Sequence, residues 1–118
     1  MKICINSDFG GFSLSDEAFE EYLNIKGISY TKELNTYGGY HFYENGPDAK
    51  GDDADMLWDG NLDRDDTILI QVVEKLGAEK ASGTYASLKI VEIPDDVKWE
   101  IGEYDGCEWV AEKHRRWS

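Results

Sequence analysis

The chain has 118 residues, of which 41% are hydrophobic and 13% aromatic, so it can form one domain with a core but is short for two. Its 25 Asp and Glu residues against 12 Lys and Arg give a net charge of −13, which opposes direct nucleic-acid binding because that affinity comes from cations that neutralise phosphates. The N-terminal sequence lacks a signal peptide's basic and apolar regions, and no stretch approaches the ~18 apolar residues of a membrane span, so we expect a cytoplasmic protein.

The first part of the chain predicts a strand followed by a helix. Residues 2–6 have the β-branched, apolar character of a short strand, and the glycine pair at 10–11 ends it because glycine adopts backbone angles that other residues avoid. A helix is expected over residues 16–26, with Ser15 as its N-cap and Gly27 at its C-terminal end. Apolar side chains recur in it at intervals of three and four, which predicts one buried face.

A hairpin and an acidic loop are predicted next. Residues 28–34 and 40–44 are rich in β-branched and aromatic residues and are separated by turn formers, which predicts a β-hairpin. Residues 45–66 contain eight aspartates and only two basic residues among glycines and a proline, a composition typical of a long surface loop. The apolar triplet at 56–58 must pack on the body, dock a partner or lie in water, and we expect burial of Trp58 to anchor the loop.

The second half of the chain predicts another helix and three strands. The helix is expected to begin at a cap within residues 63–66 and to end at Gly77. A strand over residues 85–93 should end at Pro94. These elements, with the hairpin described next, predict an α+β domain spanning residues 1–118 that has a small, mostly antiparallel sheet and two main helices.

A C-terminal β-hairpin is predicted around Asp105-Gly106, which is the strongest signal for a two-residue turn in the chain. Residues 99–104 and 107–112 flank it as the two strands. A tight turn sets two cross-strand pairs, Tyr104 with Cys107 and Ile101 with Val110.

Two basic or glycine-rich segments could bind an anionic ligand. The start of the first predicted helix offers free N–H groups and a helix dipole that can hold a phosphate, although it lacks the lysine of a P-loop. The C-terminal tail offers arginines that can pair with a phosphate and a tryptophan that can stack on a base. The alternatives are a plain connection with a serine cap and a tail that folds on the acidic body. The predicted ligand-binding residues are Gly10, Gly11, Ser13, Ser15, Arg64, His114, Arg115 and Trp117.

The aspartate-rich segment does not match a calcium-binding loop. Its alternating acidic side chains begin at Asp59, but Arg64 stands where the loop requires glycine and Ile70 where it requires glutamate. We predict no metal and no cofactor, and the segment is left as a solvated surface, a non-specific divalent-ion site or a protein-docking surface. The predicted partner-binding residues are Asp52, Asp53, Asp55, Met56, Trp58 and Asp59.

Arrangements of catalytic residues are scarce. The chain has two histidines, His41 and His114, and no serine in a nucleophile-elbow motif. Its two cysteines, Cys4 and Cys107, lack the spacing of a zinc or redox pair. We therefore expect a binding protein, with a small enzyme acting on a nucleotide-like substrate as an alternative.

Three segments of the chain resemble a group of small proteins encoded by tailed bacteriophages. They are GGFSLS at residues 10–15, EIPDDVKWEI at 92–101, and the pattern YDG, EWVAE and HR within 104–115. The similarity is weakest from Thr31 to Asn61. Thr67 stands where the related sequences have proline, which is favoured but not required at the first position of a helix. These relatives have mostly no established activity, so the resemblance implies a phage context.

A phage context implies a particular kind of role, because small accessory phage proteins often bind and disable host machinery. The resemblance therefore implies a protein of the host cytosol that counters host defence by non-catalytic binding. The acidic surface predicts a host protein with a basic surface as the partner, since opposite charges steer association. The alternative is a sponge for a small anionic nucleotide that signals in immunity. The oligomeric state is left open between a monomer and a homodimer.

Overall fold

The fold is α+β, as predicted, and ends in a β-hairpin. The computed structural model describes residues 1–34, 39–44 and 56–113, and all strand pairs within these ranges are antiparallel. The strands are β1 Lys2–Asn6, β2 Thr31–Leu34, β3 Tyr40–Tyr43, β4 Met56–Leu57, β5 Leu88–Glu92, β6 Trp99–Tyr104 and β7 Cys107–Glu112. The helices are α1 Asp16–Lys26, α2 Thr67–Leu76 and α3 Ala78–Ala81.

Both predicted helix starts are confirmed by their caps. The Ser15 hydroxyl accepts a hydrogen bond of 3.1 Å from the N–H of Ala18, and Gly27 ends α1 with a left-handed φ of 80°. At α2, the Asp66 carboxylate accepts from the N–H of Ile68 at 2.8 Å. Local side-chain chemistry therefore sets where these helices begin.

The region after α2 differs from the prediction. A third helix, α3, was not among the predicted elements; it occupies 78–81 and follows α2 through Gly77, whose φ of 84° redirects the chain. Its four residues favour a helix but are too few to form one alone, and Ala81, completely buried in the core, supplies a tertiary contact that the sequence does not reveal.

The strands form three small sheets. β1 pairs with β5, β2–β3–β4 form the second sheet, and β6 pairs with β7. The strand expected over 85–93 is limited to β5, and part of the predicted loop at 45–66 is ordered, because β4 pairs with β3 and a short 3-10 turn follows at Asp59–Asn61. Residues 45–55 lie outside the described part of the chain.

The core lies between the helices and the first two sheets. Phe19 and Tyr22 of α1 are buried with Leu69 and Val72 of α2. The second sheet covers α1 through an edge-to-face contact between Phe19 and Phe42, whose ring centroids are 5.2 Å apart. The longest described helix has 11 residues, and no helix in the described ranges combines the length and apolar character of a membrane span, which takes about 20 residues.

A cluster of polar side chains attaches the C-terminal hairpin to the body. Arg64 donates two hydrogen bonds to the Glu108 carboxylate, at 2.6 and 2.9 Å, and the Glu108 side chain is only 8% exposed. The guanidinium also lies 3.6 Å from the centre of the Phe12 ring. The side chain of Asn6, fully buried, donates to the carbonyl of Gly106 at 2.7 Å. We call Asn6, Phe12, Arg64 and Glu108 the Arg64 cluster.

The hairpin itself is confirmed in turn and register. Asp105 and Gly106 both have positive φ, at 49° and 89°, as a type I′ turn requires. The predicted cross-strand pairs, Tyr104 with Cys107 and Ile101 with Val110, are both present.

Candidate functional site

A pocket of about 180 Å³ lies between the start of α1 and the β3–β4 pair. Phe19 and Phe42 supply apolar lining, and both are buried. Two exposed aromatic side chains, Tyr40 and Trp58, and two carboxyl groups, those of Asp16 and Asp59, also line it. We call the pocket lined by Asp16, Phe19, Tyr40, Phe42, Trp58 and Asp59 the Trp58 pocket.

Trp58 is held by its backbone and leaves most of its side chain in solvent. Leu57 pairs with Phe42 and packs against the core, while Trp58, the next residue, is 63% exposed. The prediction that burial of Trp58 anchors the segment is therefore wrong, because Leu57 makes the core contact. The indole lies beside Gly60, where an added Cβ would be 3.4 Å from its Cε2 atom.

Asp59 joins the 3-10 turn to the segment before α1. Its Oδ2 atom accepts a hydrogen bond of 2.9 Å from the backbone N–H of Leu14. Burial raises the pKa of this carboxyl above its ordinary value, and the N–H groups of Leu14 and Gly60 together with the charge of Arg64 only partly oppose that effect. The described surroundings of Asp59 thus favour its neutral form more than water does, and an added positive charge would favour the ionised form.

Lys32, which contacts Tyr40 at the pocket wall, is already paired with a carboxylate. The ammonium of Lys32 lies 4.9 Å from the centre of the Tyr40 ring and 3.3 Å from the Glu20 carboxylate. Among the described residues, no Lys or Arg lines the pocket itself. In the described part of the chain, the pocket therefore combines aromatic rings, two carboxyl groups and the imidazole of His41 without a lysine or arginine.

A neighbouring groove brings together three of the predicted ligand-binding residues. It has a volume of about 550 Å³, shares Leu14 and Asp16 with the Trp58 pocket, and is lined by Gly10, Ser13 and Ser15. We call it the Gly10 groove. No Lys or Arg lines the groove within the described ranges, and Asp16 adds a negative charge. The three residues therefore share one groove, but its described lining does not supply a cation for a phosphate.

Ser15 and Gly10 already make contacts within the protein. The Ser15 hydroxyl donates to the carbonyl of Lys80 at 2.6 Å while it accepts from the N–H of Ala18. Gly10 lies against Tyr85 so closely that an added Cβ would be 2.0 Å from the Tyr85 carbonyl oxygen. This approach explains the need for glycine at position 10 by packing, without a ligand.

Two other predicted ligand residues face the C-terminal hairpin. Gly11 lies against the turn, where a Cβ on Gly106 would be 2.4 Å from the Gly11 nitrogen. Arg64 pairs with Glu108, so its guanidinium holds the hairpin. The predicted residues that lie outside the described part of the chain are Asp52, Asp53, Asp55, His114, Arg115 and Trp117.

The sequence did not identify every residue of the pocket. Tyr40 and Asp16 line it together with the predicted residues Met56, Trp58 and Asp59. Tyr40 lies in a predicted strand and Asp16 in a predicted first helical turn, and neither pattern places them beside Asp59. In residues 1–34, 39–44 and 56–113, no three His, Cys, Asp or Glu side chains are grouped to hold a metal ion.

Comparisons of the chain with protein-family models, with curated proteins and with solved structures found no match. Aromatic rings beside the carboxyl groups of Asp16 and Asp59 favour a cationic group over an anionic one, because both the ring faces and the carboxylates attract positive charge.

Proposed function

We propose that this chain is a phage-type accessory protein that counters host defence by binding a host protein with a basic surface, without catalysis, in the host cytosol. The observation that supports the proposal is the exposed indole of Trp58 at a pocket that carries Asp16 and Asp59. Trp and Tyr are enriched among the residues that contribute most to protein–protein affinity. The carboxylates select a partner of opposite charge.

The charge of the whole chain supports the same kind of partner. A net charge of −13 attracts a basic protein and repels an acidic one, and such steering raises the association rate at low salt. Residues 45–55 contain four aspartates and one lysine. In the sequence they stand between β3, which contains Tyr40, and β4, which Trp58 follows. This segment therefore adds to the negative charge of the chain.

A nucleotide sponge is the second candidate, and the Gly10 groove is the observation that favours it. Its volume of about 550 Å³ falls within the ~300–1,000 Å³ of small-molecule sites, and three predicted residues converge there. A bound phosphate would, however, meet Asp16 and no described Lys or Arg. This candidate therefore depends on His114, Arg115 and Trp117 to supply the positive charge and the stacking surface.

Affinity capture with matched variants tests the proposal. Tagged wild-type protein, Trp58→Ala and Tyr104→Ala are each mixed with a lysate of the bacterial host at low salt. Tyr104 is a suitable control because it is 68% exposed and lies on the hairpin, outside the pocket. We expect the wild type and Tyr104→Ala to retain the same basic protein in stoichiometric amount and Trp58→Ala to lose it.

The contrary results are equally defined. Equal recovery by Trp58→Ala, or no stoichiometric protein with any variant, would contradict the proposal. An ultraviolet-absorbing small molecule released from the denatured wild-type protein would instead support the nucleotide sponge.

A further inference from the structure

We propose that the Trp58 pocket receives one cationic side chain of the partner, an arginine in preference to a lysine. The guanidinium would stack on the indole of Trp58 and face the carboxylates of Asp16 and Asp59. This inference rests on the proposed function and names the chemistry of its central contact.

The size of the pocket limits the occupant to one side chain. Its volume of about 180 Å³ is well below the ~300–1,000 Å³ that small-molecule sites provide. A nucleotide does not fit such a space, whereas a single long side chain entering from a partner surface does. The buried rings of Phe19 and Phe42 offer apolar contact to the methylene groups of that side chain.

The aromatic wall favours arginine. Trp is the aromatic side chain that binds cations best, and the planar guanidinium can stack on a ring face, which the compact ammonium of lysine does not do. Two contacts within this protein show the same pairing: Arg64 lies over Phe12 at 3.6 Å, and Lys32 lies over Tyr40 at 4.9 Å. The indole of Trp58 is 63% exposed and lies beside Gly60, which has no side chain to cover it.

The carboxylates supply the charge complement. Asp59 is partly buried and hydrogen-bonded to the N–H of Leu14, which fixes the carboxyl group at the pocket. The nearby guanidinium of Arg64 already makes two hydrogen bonds to Glu108. A partner cation would therefore meet a carboxylate whose charge is not balanced by a direct ion pair in the described residues.

The other charged and titratable groups at the pocket permit this occupant. Asp16 lines the pocket on the α1 side and His41 on the β3 side. Lys32 approaches Tyr40 from β2, but its ammonium is paired with Glu20 at 3.3 Å. The entering guanidinium thus meets two carboxylates, the imidazole of His41 and the ammonium of Lys32, which is already paired with Glu20.

Short peptides that differ only in charge test the inference without the natural partner. The probes are acetyl-Gly-Arg-Gly-amide and its citrulline counterpart, which has nearly the same shape and no charge, together with the lysine peptide. Binding is followed by NMR through the backbone N–H signals of Leu14 and Gly60, which every variant retains, and in the wild type also through the indole N–H signal that Trp58→Ala removes. We expect saturable shifts with the arginine peptide, about tenfold weaker binding of the citrulline peptide, and intermediate binding of the lysine peptide.

Variants then locate the site. Asp59→Asn and Trp58→Ala should each weaken the arginine peptide about tenfold, and Tyr104→Ala should leave its affinity unchanged. Equal affinity for the arginine and citrulline peptides would overturn the inference. Unchanged affinity of Trp58→Ala for the arginine peptide would also overturn it. Trp58 is exposed, so Trp58→Ala should fold and keep the test valid even if Asp59→Asn fails to fold. Lysine binding equal to arginine binding would overturn the preference for arginine.

The outcomes separate this inference from the proposed function. If the arginine peptide fails to bind but capture of a basic host protein depends on Trp58, the side-chain contact is wrong and the proposed function stands. If the peptide binds as expected but no host protein is captured, the pocket chemistry stands and the proposed function is wrong.

Discussion

The Arg64 cluster and the Trp58 pocket contain similar components but differ in how completely the chain satisfies them. In the cluster, the guanidinium of Arg64 stacks on Phe12 and pairs with Glu108, so ring, cation and carboxylate all come from this protein. In the pocket, Trp58 and Asp59 supply ring and carboxylate, and no described lining residue supplies the cation. The same chemistry is therefore complete within the described residues in one place and is left open to the proposed partner in the other.

The largest expected effect tests the structural side of this comparison. Glu108→Gln removes the charge that balances Arg64 in a site where Glu108 is 8% exposed, so we expect a loss of about 3 kcal/mol in the free energy of unfolding. Urea unfolding measures it, with Glu112→Gln, an exposed residue of the same strand, as the control. Equal losses in the two variants would remove the structural role given to the Arg64 cluster.

A smaller loss of stability is expected when the cap of α2 is removed. Burial tends to raise the pKa of Asp66, but hydrogen bonds from the Tyr22 hydroxyl and from the N–H groups of Ile68 and Leu69, with the charge of Lys26, lower it below its ordinary value of 3.8. The ionised carboxylate therefore stabilises the fold above that ordinary value, and this contribution disappears as the pH falls through the lower folded-state pKa. Asp66→Ala should cost about 1–2 kcal/mol at neutral pH.

Urea unfolding as a function of pH checks this assignment. The difference in stability between the wild type and Asp66→Ala should begin to shrink below pH 3.8, where Asp66 of the unfolded chain takes up its proton, and should reach its minimum once the pH is below the lower folded-state pKa, where the native carboxylate is protonated as well. A difference that stays constant down to about pH 2 would show that the hydrogen-bonding shape of the side chain matters and its charge does not.

The aspartates at positions 52, 53, 55 and 59 should affect the rate of association more than the stability of the fold. Replacing Asp52, Asp53, Asp55 and Asp59 together by Asn should leave the fold intact and lower the association rate with a basic partner about tenfold at low salt. Stopped-flow binding against the captured partner measures the rate. The control neutralises four exposed carboxylates elsewhere, Glu92, Asp96, Glu100 and Glu112. Unfolding of the first variant, or equal slowing in both, would contradict a role for these aspartates in steering.

The smallest expected effect concerns Trp58 in the free protein. Because its side chain is 63% exposed, Trp58→Ala should change the free energy of unfolding by no more than about 0.5 kcal/mol. Thermal and urea unfolding check this directly. A loss of about 2 kcal/mol or more, as expected for a buried tryptophan, would show that Trp58 contributes to the core. The pocket would then stabilise the fold as the Arg64 cluster does.

The elements that could be predicted depend on neighbours in the chain. Ser15 and Asp66 begin their helices because a side-chain oxygen caps N–H groups two or three residues ahead. Asp105-Gly106 sets the hairpin register because both residues accept positive φ. These interactions span only a few residues, so the amino-acid types at those positions already contain the answer.

The candidate site depends on contacts between distant segments, and only the tertiary structure decided it. Arg64 was predicted to bind a ligand, but its guanidinium forms an ion pair with Glu108, 44 residues away. Trp58 was expected in the core, but Leu57 faces Phe42 and leaves the indole in solvent. The sequence by itself determined an acidic α+β domain with its caps and turn, because those follow from composition and local chemistry. Which charges are paired and which stay without an ion pair among the described residues followed from packing, because burial and ion pairing join residues that no local pattern connects.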